Sequence, residues 1–292
     1  MSLLVFLALY ATILGLIVGS YLNVVIYRLP RGISTVRPRS SCPGCGQPIR
    51  AFDNVPVLSF LLLRGRCRNC GTPIHWRYPA IEAATGLLFL ASFLRFGPSF
   101  GALGGALFCC LMVVLAGIDA EHYILPDLIT LPGIAVGIAL QYGLTWAPAP
   151  SWLRGLADRL GIAGDAGGSE RVAAVLGGAF GAALGAGILL AIWGSWLVLR
   201  KEEGMGLGDV KMLALIGAFL GWPGVLVTLF FSSLTGALTG LALLRFSEAG
   251  LKTKLPYGIF LALAGLITLF AGPEMVAWYA GLLVTEPLPA PP

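Results

Sequence analysis

Residues 212–244 have the sequence MLALIGAFLGWPGVLVTLFFSSLTGALTGLALL, a run of 33 residues without a charged side chain. As one helix this run would be roughly 50 Å long at 1.5 Å per residue, whereas the hydrocarbon core of a bilayer is about 30 Å thick. The segment Gly221-Trp222-Pro223-Gly224 interrupts the run, and glycine and proline both break helices. We therefore expect two transmembrane helices here, a short one followed by a longer one.

The composition of the whole chain agrees with a membrane protein. Hydrophobic residues make up 57% of the 292 residues and charged residues only 11%, whereas an ordinary soluble domain has about 25% charged residues. The mean hydropathy is +0.87. So little charge cannot cover the surface of a soluble globule, and disorder requires the opposite balance. The composition excludes both of these classes.

Other charge-poor segments complete a prediction of about eight transmembrane helices in an all-α polytopic membrane protein. Residues 146–171 are polar and contain glycine and proline, which is typical of a flexible loop. The remaining predicted spans are residues 1–27, 79–96, 96–118, 127–145, 172–199 and 257–272, the last of which residues 275–285 would prolong.

The basic residues predict how the chain is oriented in the membrane. With eight spans, the loops 28–77, 119–127, 200–211 and 245–256 face one side, and they contain 15 of the 19 Lys and Arg residues. Nine of these are arginines within 28–77. Although basic stretches can indicate nucleic-acid binding, between apolar helices they are typical of cytoplasmic loops. We therefore predict that these four loops are cytoplasmic.

Two C-x-x-C-G units lie in the first of these loops. They are Cys42-Pro-Gly-Cys45-Gly46 and Cys67-Arg-Asn-Cys70-Gly71, with 21 residues between Cys45 and Cys67, close to the spacing of a zinc ribbon. Each tight turn directs two thiolates at one ion, and four thiolates leave no open position, which predicts structural Zn²⁺. Disulfides are the alternative, and the reducing cytosol disfavours them. Cys109 and Cys110 lie in an apolar span, where we expect them to serve packing.

Three aspartates lie at predicted membrane boundaries, where ionisable side chains suggest function. Asp119 ends the third span, Asp127 opens the fourth and Asp209 opens the sixth. A helix N-terminal cap explains Asp127 and would also explain Asp209. Capping does not explain Asp119, because a negative charge at a helix C-terminus is unfavourable.

Asp119 and Asp209 can form a catalytic dyad if they meet at one depth. Two carboxylates at about 3–5 Å cannot both ionise, so that one activates water while the other donates a proton to a peptide carbonyl. Gly206 and Gly208 would let an extended substrate backbone approach Asp209. Lys211 would bias the ionisation of the pair, or else anchor the helix at the inner leaflet.

The motif G-x-G-D with a second membrane aspartate resembles the intramembrane aspartyl proteases of the presenilin type. The rest of the chain resembles the bacterial prepilin peptidases, also called type IV leader peptidases. The resemblance covers nearly the whole chain apart from residues 146–171 and the Pro-rich tail after Glu286. The segments that carry it are GSYLNVVIYRLP at 19–30, RPRSSCPGC at 37–45, DNVPVLSF at 53–60, RGRCRNC at 64–70, RYPAIE at 77–82, residues 118–132, GMGLGDVK at 204–211 and LPYG at 255–258.

The resemblance implies a bifunctional enzyme of the bacterial inner membrane. Such enzymes remove the leader from type IV prepilins and type II secretion pseudopilins, and then N-methylate the new N-terminus with S-adenosylmethionine. The catalytic pair maps onto Asp119 and Asp209, and methylation is associated with the cysteine-containing region. The implied domains are a first transmembrane helix (1–27), a cytoplasmic cysteine-rich zinc domain (28–78) and a membrane aspartyl peptidase domain (79–292). The lipid bilayer and the pilins are the expected partners, and nucleic acid is not one.

Two other functions fit parts of the sequence. A polytopic transporter could use Asp119 and Asp209 as a proton or cation site, although transporters usually place such acids at the membrane midplane. A non-catalytic assembly factor could use its zinc ribbon as a docking module. Neither of these would cleave a peptide.

Overall fold

The computed structural model describes residues 2–159, 166–201, 206–246 and 255–283. Its described part is helical, with two isolated β-bridges, Ser41 to Pro48 and Arg66 to Pro73. Outside it lie 160–165 of the predicted loop, Gly204 of the glycine motif, the basic residues Lys252 and Lys254, and the Pro-rich tail. The α-helices are α1 (Leu3–Arg28), α2 (Leu58–Leu62), α3 (Arg77–Phe96), α4 (Phe100–His122), α5 (Asp127–Leu144), α6 (Ser151–Arg159), α7 (Ala166–Arg200), α8 (Leu207–Phe246) and α9 (Tyr257–Leu283).

Seven helices in the described part of the chain are long and apolar enough to cross a membrane: α1, α3, α4, α5, α7, α8 and α9. The all-α polytopic class is therefore confirmed. The number is seven because Leu207–Leu243 counts as one candidate. The expected break is nevertheless present, since Gly221 has φ 68° and ψ −174°, outside the helical region, and Pro223 follows it. The α8 segment therefore consists of two helical arms that meet at Gly221.

Residues 146–171 are more ordered than we expected from their polar composition. Helix α6 occupies Ser151–Arg159, and α7 begins at Ala166 rather than at residue 172. The spacing of Trp152, Leu153 and Leu156 matches one face of a helix, and the ring of Trp152 contacts Phe180 of α7 edge-on at 5.8 Å. The prediction of a loop is wrong for Ser151–Arg159 and for the residues from Ala166 onward, which are helical.

The chain divides into two compact units, residues 1–133 and 134–292. In the first unit α1 packs on α3 and α4. Small residues allow the close approach, because a Cβ at Gly19 would lie 2.8 Å from the Cα of Glu82. Fully buried Ile26 reaches Gly117 of α4. This packing brings the end of α1, the start of α3 and the end of α4 together.

In the second unit α7 packs on α8, and α8 packs on α9. Three glycines spaced by four residues, Gly177, Gly181 and Gly185, form one face of α7. A Cβ at Gly181 would collide with the carbonyl oxygen of Gly217 on α8. Such small-residue faces let two membrane helices approach closely. The glycine face of α7 therefore serves packing within the chain.

Gln141 of α5 provides hydrogen bonds at the break in α8. Pro223 has no N–H, so the carbonyl of Phe219 has no partner four residues later. The amide nitrogen of fully buried Gln141 donates instead to the carbonyls of Ala218 and Phe219, at 3.1 and 2.5 Å. Its amide oxygen accepts the N–H groups of Trp146 and Ala147. Inside a bilayer an unpaired carbonyl is costly, so this one side chain stabilises the broken helix.

We predict that Gln141→Leu destabilises the protein by about 3 kcal/mol or more, because it removes four hydrogen bonds between this buried side chain and the backbone, each worth about 1 kcal/mol. Thermal unfolding in detergent measures the loss. Thr228→Val is the matched control, since this residue is equally buried but makes one side-chain bond, to Thr268 at 3.0 Å. The control should cost about 1 kcal/mol. Equal losses in the two variants would contradict this role of Gln141.

Candidate functional site

The two C-x-x-C-G units fold into matching turns. In each unit the N–H of the glycine donates to the carbonyl of the first cysteine, Gly46 to Cys42 at 2.8 Å and Gly71 to Cys67 at 2.9 Å. The two glycines have φ of 69° and 70°, a region in which glycine has no steric penalty. One β-bridge closes each turn. The two halves are therefore a structural repeat.

The four thiols of these turns form one cluster. Their sulfur atoms all lie within 4.8 Å of one another, and Cys42 Sγ is 3.7 Å from Cys70 Sγ. Four sulfurs at about 2.3 Å from a central ion lie about 3.8 Å apart along the edges of a tetrahedron. All six cysteines of the chain are free thiols. Cys42, Cys45, Cys67 and Cys70 can hold one metal ion.

Two of the clustered thiols, those of Cys45 and Cys70, have very different pKa values. The hydroxyl of Thr72, 3.1 Å from Cys70 Sγ, lowers the pKa of the Cys70 thiol to about 6. The N–H of Gln47 favours the thiolate of Cys45, but desolvation and the neighbouring thiols outweigh it and raise the pKa of Cys45 to about 11. Thiolates this close repel one another. A bound cation would allow all four to ionise together.

Asp53 and Arg68 connect the segment between the turns to the second turn. Arg68 donates to both carboxylate oxygens of Asp53, with its closest contact at 2.7 Å. This hydrogen bond and charge hold the pKa of Asp53 below its usual range. The guanidinium also lies 5.4 Å from the centre of the Phe52 ring. The pair thus links the 3-10 turn that contains Asp53 to the second cysteine turn.

Glu82 attaches the same segment to the membrane helices. This residue of α3 is 9% exposed, and its carboxylate accepts the N–H of Val57 at 2.7 Å. Val57 has φ 60°, which is rare for a β-branched residue. The sequence analysis gave Glu82 no role beyond its place in the RYPAIE segment. A carboxylate inside a predicted membrane span could have marked it as a functional candidate.

Asp119 lies in the last turn of α4 and is 5% exposed. The helix continues beyond the predicted end of the span to His122. The main-chain carbonyl of Asp119 accepts the N–H of Tyr123, which ends the helix with φ 55°. Asp119 therefore lies at the C-terminal end of a helix, as predicted, where a carboxylate does not act as a cap.

Asp209 lies in the first turn of α8 and is 8% exposed. Its N–H donates to the carbonyl of Gly206 at 3.2 Å. A Cβ at Gly206 would lie 3.9 Å from Asp209 Oδ2, an ordinary contact distance, so that Gly206 lies beside this carboxyl group. Gly208 and Lys211 are partly buried in the same two turns.

Asp127 differs from the other two aspartates because it is exposed at the start of α5. The carbonyl of the preceding Pro126 accepts the N–H groups of Ile129 and Thr130. Asp127 is therefore in the first turn of α5, where a negative side chain is favourable. Burial therefore separates Asp119 and Asp209 from Asp127.

These features define the class of the protein as a multi-pass membrane protein, with a four-cysteine cluster that could hold a metal ion between its first two membrane helices and buried aspartates at two helix ends. Two family profiles narrow the class. Residues 13–96 match the Bacterial Peptidase A24 N-terminal domain, and residues 106–241 match the Type IV leader peptidase family. The chain belongs to the type IV leader peptidase family, and the resemblance drawn from its motifs is confirmed.

Curated relatives agree with this membership. The chain is 37% identical to a Prepilin leader peptidase/N-methyltransferase of Pseudomonas putida, over 91% of each chain. It is 35% identical to the protein of that name from Aeromonas hydrophila, again over 91% of each. The protein of that name from Myxococcus xanthus (strain DK1622) is 40% identical over 85% of this chain and 66% of the relative. No solved structure matches the chain.

Proposed function

We propose that this protein is a membrane aspartic endopeptidase that removes the leader from type IV prepilins and type II secretion pseudopilins, and then N-methylates the new N-terminus. The observation that carries the proposal is the identity of 35–37% over nine-tenths of both chains to prepilin leader peptidase/N-methyltransferases. No comparable observation supports a transporter or a non-catalytic assembly factor.

Asp119 and Asp209 are the proposed catalytic pair. Their support is that both are buried at helix ends while Asp127 is exposed. In the proposed step the ionised carboxylate takes a proton from water, and the water oxygen attacks the scissile carbonyl carbon. The protonated carboxyl donates its proton to the carbonyl oxygen, and the tetrahedral intermediate then breaks its C–N bond as the leaving amine is protonated. Gly206 and Gly208 leave room for an extended peptide, and Lys211 would bias the ionisation of the pair. Asp127 would support the site only indirectly, through the start of α5, and takes no part in the proton transfers.

Methyl transfer uses the amine that cleavage produces. When bound, S-adenosylmethionine would supply the methyl group and would leave as a neutral thioether. The neutral amine nitrogen would accept the methyl group and lose a proton to water. Such a displacement needs a donor held close to the amine and in line with it.

The metal of the four-cysteine cluster is proposed to be structural Zn²⁺. Its support is the donor set of four thiolates, which leaves no open coordination position, and the sulfur spacing of 3.7 Å. The ion would stabilise the fold of the loop between α1 and α3. The basic residues of this loop support a location at the cytoplasmic face of the inner membrane.

The test incubates purified protein with a prepilin-like substrate, with and without S-adenosylmethionine, and follows the products by mass spectrometry. We expect leader removal in both reactions and an additional 14 Da, about the mass of one methylene, only with the donor. An intact substrate under conditions in which the protein is folded would contradict the peptidase function.

A further inference from the structure

The short helix α2 exposes its leucines and buries its only polar side chain. Leu58, Leu61 and Leu62 are 52%, 64% and 73% exposed, whereas Ser59 is only 7% exposed. Helix positions that differ by three or four residues lie on one face, so the three leucines form a single apolar face. This arrangement is the reverse of that in a soluble domain, where leucines are mostly buried and serines mostly exposed.

Hydrogen bonds fix this orientation of α2. The hydroxyl of Ser59 donates to the carbonyl of Phe52 and accepts the N–H of Val55, both at 3.0 Å. At the other end of the helix, the N–H of Gly65 donates to the carbonyl of Phe60 at 2.8 Å. The Phe60 ring lies 3.1 Å from the position that a Cβ would have at Gly65. The helix is therefore attached to the loop on its serine side, which leaves the leucine face outermost.

The contact between Val57 and Glu82 sets the depth of α2 relative to the membrane helices. Helix α3 is a candidate span that begins at Arg77, and Glu82 lies five residues further on, about 7.5 Å along the axis. Glu82 also packs against Gly19 of α1, which is nine residues, or roughly 14 Å, before the end of that helix at Arg28. Because the N–H of Val57 donates to the Glu82 carboxylate at 2.7 Å, the residue that precedes α2 lies level with residues inside both spans.

Two arginines provide positive charge directly after α2. Arg64 and Arg66 are both exposed, and the only carboxylate within residues 28–77, that of Asp53, is paired with Arg68. An apolar helix face next to basic residues is typical of helices that lie in the membrane interface, with the apolar face about 5–10 Å into the boundary between headgroups and acyl chains. Basic residues at this depth attract anionic lipids. The depth and the charge of α2 and its flanking residues agree with such a helix.

We propose that α2 lies in the cytoplasmic interface of the bilayer, with its leucine face among the acyl chains and with Arg64 and Arg66 on the phosphates of anionic phospholipids. A protein partner would have to displace lipid at this depth beside α1 and α3, whereas the bilayer already surrounds these spans. The sequence predicts a cytoplasmic location for the whole loop, and the proposal brings one part of it to the membrane. Cys67 follows α2 by five residues, so this contact also holds the cysteine cluster close to the bilayer.

The test replaces Leu62 of the full chain by the photoreactive amino acid p-benzoylphenylalanine, in nanodiscs of equal amounts of phosphatidylcholine and phosphatidylglycerol. Irradiation followed by mass spectrometry identifies what this position contacts. We expect phospholipid adducts, mostly with phosphatidylglycerol. A second sample has the probe at Leu61, so that the result does not depend on one substitution. The control position is Gln47, an exposed polar residue of the first cysteine turn, where few lipid adducts should form.

Arg64→Gln should lower the ratio of phosphatidylglycerol to phosphatidylcholine adducts about five-fold, as expected for loss of one basic residue near an anionic surface. Arg39→Gln is the matched control, because it removes the same charge from an exposed position before the first cysteine turn and should leave the ratio unchanged. Adducts of positions 61 and 62 with protein in place of lipid, whether with residues of this chain or with a second copy, would overturn the inference. A ratio unaffected by Arg64→Gln would overturn the contact with anionic phosphates. Both measurements are independent of enzymatic activity and therefore of the proposed function.

Discussion

Asp119→Asn and Asp209→Asn are each expected to abolish leader cleavage, reducing its rate by about four orders of magnitude or more while the protein remains inserted and folded. Residues that act as one acid–base unit lose nearly the whole effect when either is removed. An amide can neither take a proton from water nor supply one to the carbonyl oxygen. Mass spectrometry of a prepilin-like substrate, together with thermal unfolding in detergent, measures both activity and folding.

Asp127→Asn is the matched control for these two variants. The same atoms change at an exposed carboxylate near a membrane boundary, and loss of a helix cap costs only about 0.5–2 kcal/mol. We expect its cleavage rate to stay within a few-fold of the wild type. Substantial cleavage by either of the other variants would remove that aspartate from the catalytic pair.

Much of the membrane architecture could be predicted from the sequence because each span depends on local composition. Charge-free runs correspond in order to α1, α3 to α5 and α7 to α9, and Gly221 and Pro223 mark the break in α8. By length and hydropathy the two arms of α8 form one candidate span. Neither property shows where the backbone bends. Helix α6 was missed because it is short and polar.

Contacts between distant residues could not be predicted in this way. Gln141 is 77 and 78 residues from the two carbonyls that it satisfies, and nothing in its own neighbourhood indicates a break in another helix. Glu82 and Val57 meet only because the loop folds back onto α3. Likewise the pair of Arg77 and Glu121 requires the start of α3 to meet the end of α4. The cysteine cluster is the exception, since ligand spacing within each turn is local.

Replacing any one of Cys42, Cys45, Cys67 or Cys70 by serine is expected to reduce bound zinc from about one ion per chain to nearly none. A small ribbon depends on its metal to fold, and three thiolates bind it much less tightly than four. Elemental analysis of anaerobically purified protein measures the zinc. Cys110→Ser, outside the cluster on α4, is the matched control and should retain the ion. A wild type without metal would contradict the site.

The same variants should impair methylation more than cleavage. The second cysteine turn continues directly into α3: the N–H of Ile74 donates to the carbonyl of Gly65 at 2.7 Å, and α3 begins at Arg77. Loosening the turn therefore disturbs the cysteine-containing region, with which the resemblance associates methylation, whereas Asp119 and Asp209 lie on α4 and α8. We expect methylation to fall at least ten-fold further than cleavage, with a raised donor KM. A parallel fall of both activities at normal protein levels would mean that the ribbon supports the peptidase as much as the methyltransferase.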